Sequence, residues 1–126
     1  MALDQDTRTQ LIDALERFVR ERLVPLEAKV EEDDEMPADV IEEMKTMGLF
    51  GLSIPEEFGG LGLGMVDDVL VNLTFGRTTP PFSTTFGTNI GIGAQGIVID
   101  GTEEQKQKYL PMLASGEIIG SFALTE

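Results

Sequence analysis

The sequence contains no cysteine, no histidine and no tryptophan. Without cysteine there is no disulfide framework and no thiolate chemistry, which is typical of a protein made for a reducing, cytoplasmic setting. Without histidine as well, the chain lacks the usual zinc ligands and the commonest general base. We therefore predict no metal site, and any chemistry must use carboxylates, hydroxyls, backbone groups or a cofactor.

Basic residues are also scarce, since nine lysines and arginines stand against 23 aspartates and glutamates, for a formal net charge of −14 at pH 7. A field of this sign repels phosphate backbones and anionic lipid head groups, which argues against nucleic-acid and membrane-surface roles. No apolar run approaches the ~20 residues of a transmembrane helix. The acidic, polar start MALDQDTRTQ is unlike a secretory or transit peptide. We expect a soluble, cytoplasmic protein with the length of one domain.

What the sequence does contain is helical periodicity. Apolar side chains recur at helical spacing over residues 11–26, and Thr7 and Gln10 have the spacing of a capping box at the helix start. Pro25 should kink this helix or begin a new turn, because it has no N–H to donate. Residues 31–35 are all acidic, and since like charges repel, we predict a solvated connecting loop there.

Two more helices are predicted in the middle of the chain. One begins at Pro37 and ends near Gly48, a residue suited to the left-handed position after a last helical turn. The loop at residues 49–64 combines glycines with many apolar side chains, so we expect it to pack on the core. The next helix covers residues 65–76 and should turn its apolar side chains inward. These side chains are Val66, Val69, Leu70, Leu73 and Phe75.

The stretch at residues 82–100 is low in charge and rich in small residues, which predicts one or two closely packed, buried helices. The best-marked helix of the chain follows it. Thr102 and Gln105 have capping-box spacing at its start, and Gly116 is placed to end it.

The last residues, GEIIGSFALTE, form a β-like run with no turn and no partner strand. The predicted fold class is therefore all-α, with five to seven helices over residues 1–117 and one β-strand over residues 118–126. No internal repeat and no flexible interdomain linker is visible in the sequence.

Two glycine-rich stretches look like nucleotide-binding motifs but fail on their context. GIGAQG at residues 91–96 matches G-x-G-x-x-G, yet no β-run precedes it, so we interpret its glycines as sites of tight helix packing. EEFGGLGLG lacks the Lys-Ser or Lys-Thr of a phosphate-binding loop, and we interpret Glu56 and Glu57 as an exposed acidic turn. The residues alone indicate no self-contained active site.

Three stretches taken together resemble one family. MGLFGLSIPEEFGGLGLG, GTEEQKQKYLPMLASGE and GSFALTE, in this order and spacing, are similar to the N-terminal half of acyl-CoA dehydrogenases, and the resemblance covers residues 8–126. It implies a helical domain, a middle β-domain and a C-terminal four-helix bundle, assembled as a homotetramer with FAD between the last two domains. It also implies conversion of a fatty acyl-CoA thioester to a trans-2-enoyl-CoA in β-oxidation or a related pathway. An electron-transfer flavoprotein or a similar protein would accept the electrons.

The resemblance further implies site residues. FALTE aligns with an aromatic-x-x-Thr-Glu segment of the family that contacts the flavin ring, which assigns Phe122, Leu124 and Thr125 to FAD binding. Strand N–H groups and a threonine hydroxyl can donate to the N1/O2 side of the ring and stabilise its reduced form. Residues 86–99 fall where the family lines its acyl cavity, with Gln95 as a lining residue. An ordinary core segment is the other interpretation of this stretch.

By this resemblance the chain is an N-terminal fragment, and residues 118–126 are the first strand of the middle β-domain. The family's catalytic glutamate is expected beyond Glu126, so no catalytic residue is assigned, and the chain alone is expected to be inactive and to bind FAD very weakly. Two alternatives stay open. One is an acyl-CoA oxidase-like or nitroalkane-oxidising flavoenzyme, and the other is a non-catalytic helical interaction module derived from the family.

Overall fold

Helices account for the regular structure of residues 2–125, which are the residues that the computed structural model describes. Within them lie seven α-helices: α1 (Gln5–Phe18), α2 (Glu27–Asp33), α3 (Ala38–Thr46), α4 (Met65–Phe75), α5 (Pro80–Thr88), α6 (Gln95–Asp100) and α7 (Glu103–Ser115). Two π-helical turns (Val19–Leu23 and Asn89–Gly93) and three 3-10 turns (Val24–Leu26, Leu49–Gly51 and Glu56–Phe58) join them. The all-α fold class is confirmed, and so is the predicted number of helices.

The first helix begins earlier than the sequence suggested. Asp4 is its N-cap, and the Asp4 carboxylate accepts hydrogen bonds from the Thr7 N–H at 2.9 Å and from the Thr7 hydroxyl at 2.7 Å. The predicted capping box of Thr7 and Gln10 is therefore wrong. An aspartate three residues upstream offers two acceptor oxygens to the free N–H groups of the first turn, and Thr7 becomes the donor.

Pro25 changes the helix without ending it. The chain passes through the π-helical turn Val19–Leu23 and the 3-10 turn Val24–Leu26 before α2 resumes, as expected for a residue that cannot donate an N–H. The predicted loop at residues 31–35 is wrong for its first three residues, which continue α2 and stay exposed. An ion pair of 2.6 Å between Lys29 and Asp33, one helical turn apart, offsets part of the repulsion among these acids.

The ends of two helices follow local signals in the sequence. Pro37 caps α3, which starts one residue later than predicted, and Gly48 ends it at φ 78°. Thr102 and Gln105 exchange the two reciprocal hydrogen bonds of a capping box, and Gly116 ends α7 at φ 77°. These predictions are confirmed, because each depends only on residues within one helical turn.

Four phenylalanines form the centre of the main core. Phe50, Phe75, Phe82 and Phe86 are fully buried, and the rings of Phe75 and Phe86 meet edge to face with centroids 4.9 Å apart. A smaller cluster lies where α7 packs against the loop at residues 49–64. It consists of Ile54, Phe58, Ala94, Leu110, Leu113 and Ala114.

The loop at residues 49–64 folds back on itself and packs into both clusters, as predicted. Leu61 N–H donates to the Gly51 carbonyl at 2.8 Å, and Leu63 N–H donates to the Leu52 carbonyl at 2.8 Å. At Gly60 a Cβ atom would lie 2.0 Å from the Ile54 carbonyl oxygen, so this crossing of the chain requires glycine.

The orientation of α4 is opposite to the prediction. Val66, Val69 and Leu73 point outward, whereas the buried residues are Asp67, Val71, Thr74 and Phe75. Only Phe75 faces inward as predicted, and Leu70 is half-buried. The helix MVDDVLVNLTF carries apolar residues on most of its circumference, so its periodicity does not select a face.

An ion pair with α1 explains this orientation. Arg8 Nε donates to Asp67 Oδ1, and the Leu3 N–H donates to Asp67 Oδ2 at 3.0 Å, so both oxygens of the buried carboxylate are paired. These hydrogen bonds, that of Arg8 first, hold the pKa of Asp67 below its usual value of 3.8. A buried charge without these donors would be costly, and the pairing therefore fixes which side of α4 faces α1.

We predict that Val71→Ala and Val69→Ala differ strongly in their effect on stability. Val71 is 0% exposed and Val69 is 47% exposed. Val71→Ala should lower the free energy of unfolding by about 1.5–3 kcal/mol, because it removes buried methyl groups and leaves a cavity. Val69→Ala should change it by less than about 0.5 kcal/mol. Equal losses in urea denaturation would contradict the orientation described here.

We also predict that Asp67 makes stability depend on pH in the acid range. A carboxylate with a pKa lowered by folding stabilises the protein at neutral pH, and this stabilisation is lost as the pH falls below about 4. Asp67→Asn should therefore unfold more easily than the wild type at neutral pH, and the difference should shrink in acid. Urea denaturation at several pH values measures it. Asp13→Asn, an exposed change on α1, is the control and should have little effect at neutral pH.

Candidate functional site

The segment after α7 leaves the helical body in an irregular path. Gly116 turns the chain, the Ile118 N–H donates to the Met112 carbonyl at 3.3 Å, and the Gly120 N–H donates to Asn89 Oδ1 at 2.8 Å. Residues 118–125 have no regular secondary structure. A β-strand needs a neighbouring strand as hydrogen-bond partner, and none occurs within residues 2–125. The strand therefore stays a prediction, and its last residue, Glu126, lies outside the described residues.

Asn89 connects this segment to the helical body. Its side chain is fully buried, and its Nδ2 donates to the Phe50 carbonyl at 3.0 Å and to the Leu113 carbonyl at 2.9 Å. Its Oδ1 accepts the hydrogen bond from Gly120. All of these groups come from separate parts of the chain, so one side chain joins the loop at residues 49–64, the end of α7 and the C-terminal segment.

Two glycines allow the segment to approach so closely. A Cβ atom on Gly93 would lie 2.9 Å from the Gly120 Cα, and one on Gly120 would lie 2.8 Å from the Gly93 Cα. Gly93 is thus a close-packing site, but its neighbour Gly120 lies in a non-helical segment, so it does not pack one helix on another as the sequence suggested. Gly91 and Gly96 are not close-packing sites, since outside their own helical turn no atom lies within 4 Å of a Cβ placed on either of them.

The three residues assigned to FAD from the resemblance lie in this segment and face outward. Phe122 and Leu124 are 59% and 74% exposed, and Thr125 is also exposed. Within residues 2–125, no hydrogen bond engages the backbone at positions 121–125. Exposed N–H groups without an internal partner, together with a hydroxyl, are the kind of donor that the N1/O2 side of a flavin accepts, so these residues are chemically compatible with the cofactor.

A groove lies beside the same π-helical turn, which contributes Ile90 and Gly91 to its lining. It has a volume of about 390 Å³ and is partly open. Its lining residues are Ser53, Leu63, Met65, Asp68, Asn72, Gly87, Ile90, Gly91 and Gln95. Leu63, Met65 and Ile90 give the groove apolar surface, and its polar lining residues are Ser53, Asp68, Asn72 and Gln95.

Gln95, the residue assigned to the acyl cavity, lines this groove and is held in place by hydrogen bonds. Its Nε2 donates to Ser53 Oγ at 3.1 Å and to the Ile90 carbonyl at 3.3 Å. Ser53 Oγ itself donates to the same carbonyl at 3.2 Å. The π-helical turn therefore contacts both predicted sites through consecutive residues, Asn89 on the side of Gly120 and Ile90 on the side of Gln95.

The sequence analysis missed three residues of this region. Asn89 and Ser53 gave no signal beyond being polar in apolar surroundings, because their partners are 24 to 42 residues away. The third residue is Asp68, which in the sequence is one of two adjacent aspartates near the start of a predicted helix and gives no sign of a site. Burial raises the pKa of its carboxyl group, and Asp68 Oδ1 has no hydrogen-bond partner in the described part of the chain.

Glu56 and Glu57 are exposed on a 3-10 turn, as predicted. Among residues 2–125, no group of three or more carboxylates is placed to hold a metal ion. No helix of that range combines the length and the apolar character needed to cross a membrane.

Known proteins resemble this chain in sequence and in structure. Residues 5–117 match the family model for the acyl-CoA dehydrogenase N-terminal domain. A probable acyl-CoA dehydrogenase of Bacillus subtilis (strain 168) is 38% identical over 96% of this chain and 20% of its own length. An FAD-complexed acyl-CoA dehydrogenase of Bacillus anthracis has a TM-score of 0.85 and 37% identity, over 98% of this chain and 21% of its own. A chain from an electron transferring flavoprotein structure of Acidaminococcus fermentans has a TM-score of 0.81 and 28% identity. The match covers 94% of this chain and 31% of that chain.

The matched region takes in all seven α-helices described above. The chain spans 20% to 31% of the length of these three proteins. The resemblance inferred from the three sequence stretches is confirmed. The chain therefore belongs to the acyl-CoA dehydrogenase family and contains that family's N-terminal domain.

Proposed function

We propose that this chain supplies a helical wall of the acyl-binding groove and one edge of the flavin site in a flavin-dependent acyl-CoA dehydrogenase. The proposed reaction removes an α-proton and a β-hydride from a fatty acyl-CoA thioester and yields a trans-2-enoyl-CoA. FAD, when bound, is the hydride acceptor. We expect the base that takes the α-proton to be a glutamate outside residues 1–126, and β-oxidation or a related pathway to be the setting.

One observation carries the proposal, namely that the π-helical turn Asn89–Gly93 both lines the groove and anchors the outward-facing segment at Gly120. The Ile90 carbonyl accepts from Gln95 on the groove side, and the Asn89 amide accepts from Gly120 on the other side. A dehydrogenation that passes a hydride to a flavin needs the acyl chain and the flavin ring next to each other. Groups of one rigid turn can hold both.

In the groove, we expect the residues of this chain to bind and orient the acyl chain of the substrate. Leu63 and Ile90 give apolar surface for a fatty chain, and Gln95 is tethered twice, so its amide cannot swing across the groove. Burial raises the pKa of Asp68 above its usual value, because the charged form of the carboxyl group is less well solvated there than in water.

On the flavin side, donors are free. The exposed segment around Leu124 offers backbone N–H groups, and Thr125 offers a hydroxyl. FAD is bound in the Bacillus anthracis relative, which supports the assignment of this cofactor. We further propose a fatty acyl-CoA substrate, a homotetrameric assembly and an electron-transfer flavoprotein as electron acceptor. The likeness to a chain from an electron transferring flavoprotein structure is compatible with the last of these.

The alternatives differ in observable ways. An acyl-CoA oxidase-like or nitroalkane-oxidising enzyme could share this domain, and rapid reoxidation of the reduced flavin by dioxygen would identify it. A free-standing interaction module would cover exposed apolar side chains such as Phe122 and Leu124 with a partner protein and would bind no flavin. Binding of FAD therefore separates the enzyme from the module.

We predict that the hydroxyl of Thr125 contributes to flavin binding. In the protein expressed from its complete reading frame, Thr125→Val should weaken FAD binding roughly three- to tenfold, because it keeps the side-chain shape and removes one hydrogen bond. The reduction potential of the flavin should become more negative, since the lost donor favours the reduced form. Equilibrium binding and a redox titration measure the two effects.

Ser121→Ala is the matched control for this variant. It removes a hydroxyl from the same exposed segment at a position that the resemblance does not assign to the flavin. We expect its FAD affinity and potential to equal those of the wild type. If Thr125→Val behaves like this control, the flavin contact is wrong. If the wild type neither carries nor takes up FAD, the proposed function is wrong as a whole.

We predict that filling the groove changes the preference for acyl-chain length. Gly91 lines the groove, and no atom lies within 4 Å of a Cβ placed on it, so Gly91→Leu can add its side chain without a clash at Cβ. The ratio of kcat/KM for long to short acyl-CoA substrates should fall by roughly tenfold or more. Gly96→Leu, at an open position outside the groove, is the control and should leave the ratio unchanged.

A further inference from the structure

The Asn89 side chain is a buried hydrogen-bonding centre in which every strong polar group is used. Nδ2 donates to two carbonyls, and Oδ1 accepts from the Gly120 N–H. The Asn89 side chain is not exposed to solvent, so its amide depends on these protein partners for its hydrogen bonds. The two donated hydrogen bonds fix the amide plane, and the fixed plane determines where Gly120 must lie.

The Gly93 backbone restrains Gly120 from another side. With 2.9 Å between a notional Gly93 Cβ and the Gly120 Cα, the segment packs directly on the backbone of the π-helical turn. The hydrogen bond pulls the segment toward the turn, and the backbone contact sets how close it comes. Within residues 2–125, no hydrogen bond to the backbone follows Gly120, so it is the last hydrogen-bonded backbone group before the proposed flavin contacts.

We propose that Asn89 is a positioning residue for the flavin site, which acts through Gly120 to fix the segment that carries Leu124 and Thr125. The proposal rests on the proposed function, because it assumes that this segment contacts FAD. Asn89 touches neither substrate nor cofactor in this role. It fixes the point at which the segment leaves the helical body, and this anchor limits the positions that the donors of the segment can reach before the flavin binds.

Asparagine suits this role because its amide both donates and accepts. Aspartate has no N–H for the Phe50 and Leu113 carbonyls and would bring a charge into a buried site. Leucine has a similar size but no polar group, so it would leave the Phe50 carbonyl, the Leu113 carbonyl and the Gly120 N–H without their hydrogen bonds to residue 89. No other residue type of this size supplies two donors in fixed geometry beside an acceptor.

The test uses two variants that disturb the Gly120 contact in different ways, in the flavin-loaded protein expressed from its complete reading frame. Asn89→Leu removes the hydrogen bonds. Gly93→Ala keeps them available but places a methyl group where Gly120 lies, so the segment has to move. The control is Gly96→Ala, the same change at a position with no neighbouring atom within 4 Å.

Two readouts are taken for each variant. Hydrogen exchange of peptides covering residues 117–125 should become at least roughly tenfold faster in Asn89→Leu and Gly93→Ala. The flavin reduction potential should become more negative in both, and the dissociation constant of FAD should rise roughly fivefold or more. Gly96→Ala should match the wild type in every measurement.

The outcomes separate positioning from simple structural support. If Asn89→Leu does not fold, Gly93→Ala carries the test by itself. If Gly93→Ala speeds exchange but leaves the potential and FAD affinity unchanged, Asn89 only supports the fold and the proposal is overturned. Unchanged exchange in Gly93→Ala overturns the tether itself. A wild type without FAD refutes the proposed function, and the exchange data then still report whether the tether exists.

Discussion

The arrangement of the whole C-terminal part depends on one buried amide, that of Asn89. Leaving a buried polar group without a hydrogen bond costs about 1–3 kcal/mol. This cost favours the fold in which the Asn89 side chain pairs with the Phe50 carbonyl, the Leu113 carbonyl and the Gly120 N–H. This single requirement holds the loop at residues 49–64 against α7 and directs the segment beyond Gly116 across the π-helical turn. The groove and the exposed segment acquire their relative positions from it.

A second buried polar group has the same effect at the other end of the molecule. The ion pair of Arg8 and Asp67 binds the start of α1 to the start of α4, and both oxygens of Asp67 are satisfied. Because the carboxylate must point inward, Val66, Val69 and Leu73 must point outward. These apolar side chains are therefore on the surface because the Arg8–Asp67 ion pair occupies the inner side of α4. Exposed apolar residues of this kind are typical of surfaces that meet another protein element or a ligand.

Prediction from the sequence succeeded where the signal is local and failed where it is not. The capping box of α7 and the glycines that end α3 and α7 follow from residues within one turn of each other. The orientation of α4 could not be predicted, because its apolar residues surround the helix and the deciding partner, Arg8, lies 59 residues away in sequence. The same holds for Asn89, which looks like an isolated polar residue until Phe50 and Leu113 are brought to it. The three flavin-assigned residues and Gln95 came from family resemblance, and no local pattern singles them out.

By itself, the sequence determined the helical fold class, the family and the ends of α3, α4 and α7 to within one residue, because periodicity, caps and motifs depend on residues that are close together in sequence. It also excluded thiol and imidazole chemistry through the absence of cysteine and histidine. Only the tertiary structure decided which face of α4 is buried, where the groove opens and how the last segment is held. The physical reason is that the groups involved are far apart in sequence. The buried Asp67 and Asn89 find their partners, and the groove acquires its walls, only once the chain has folded.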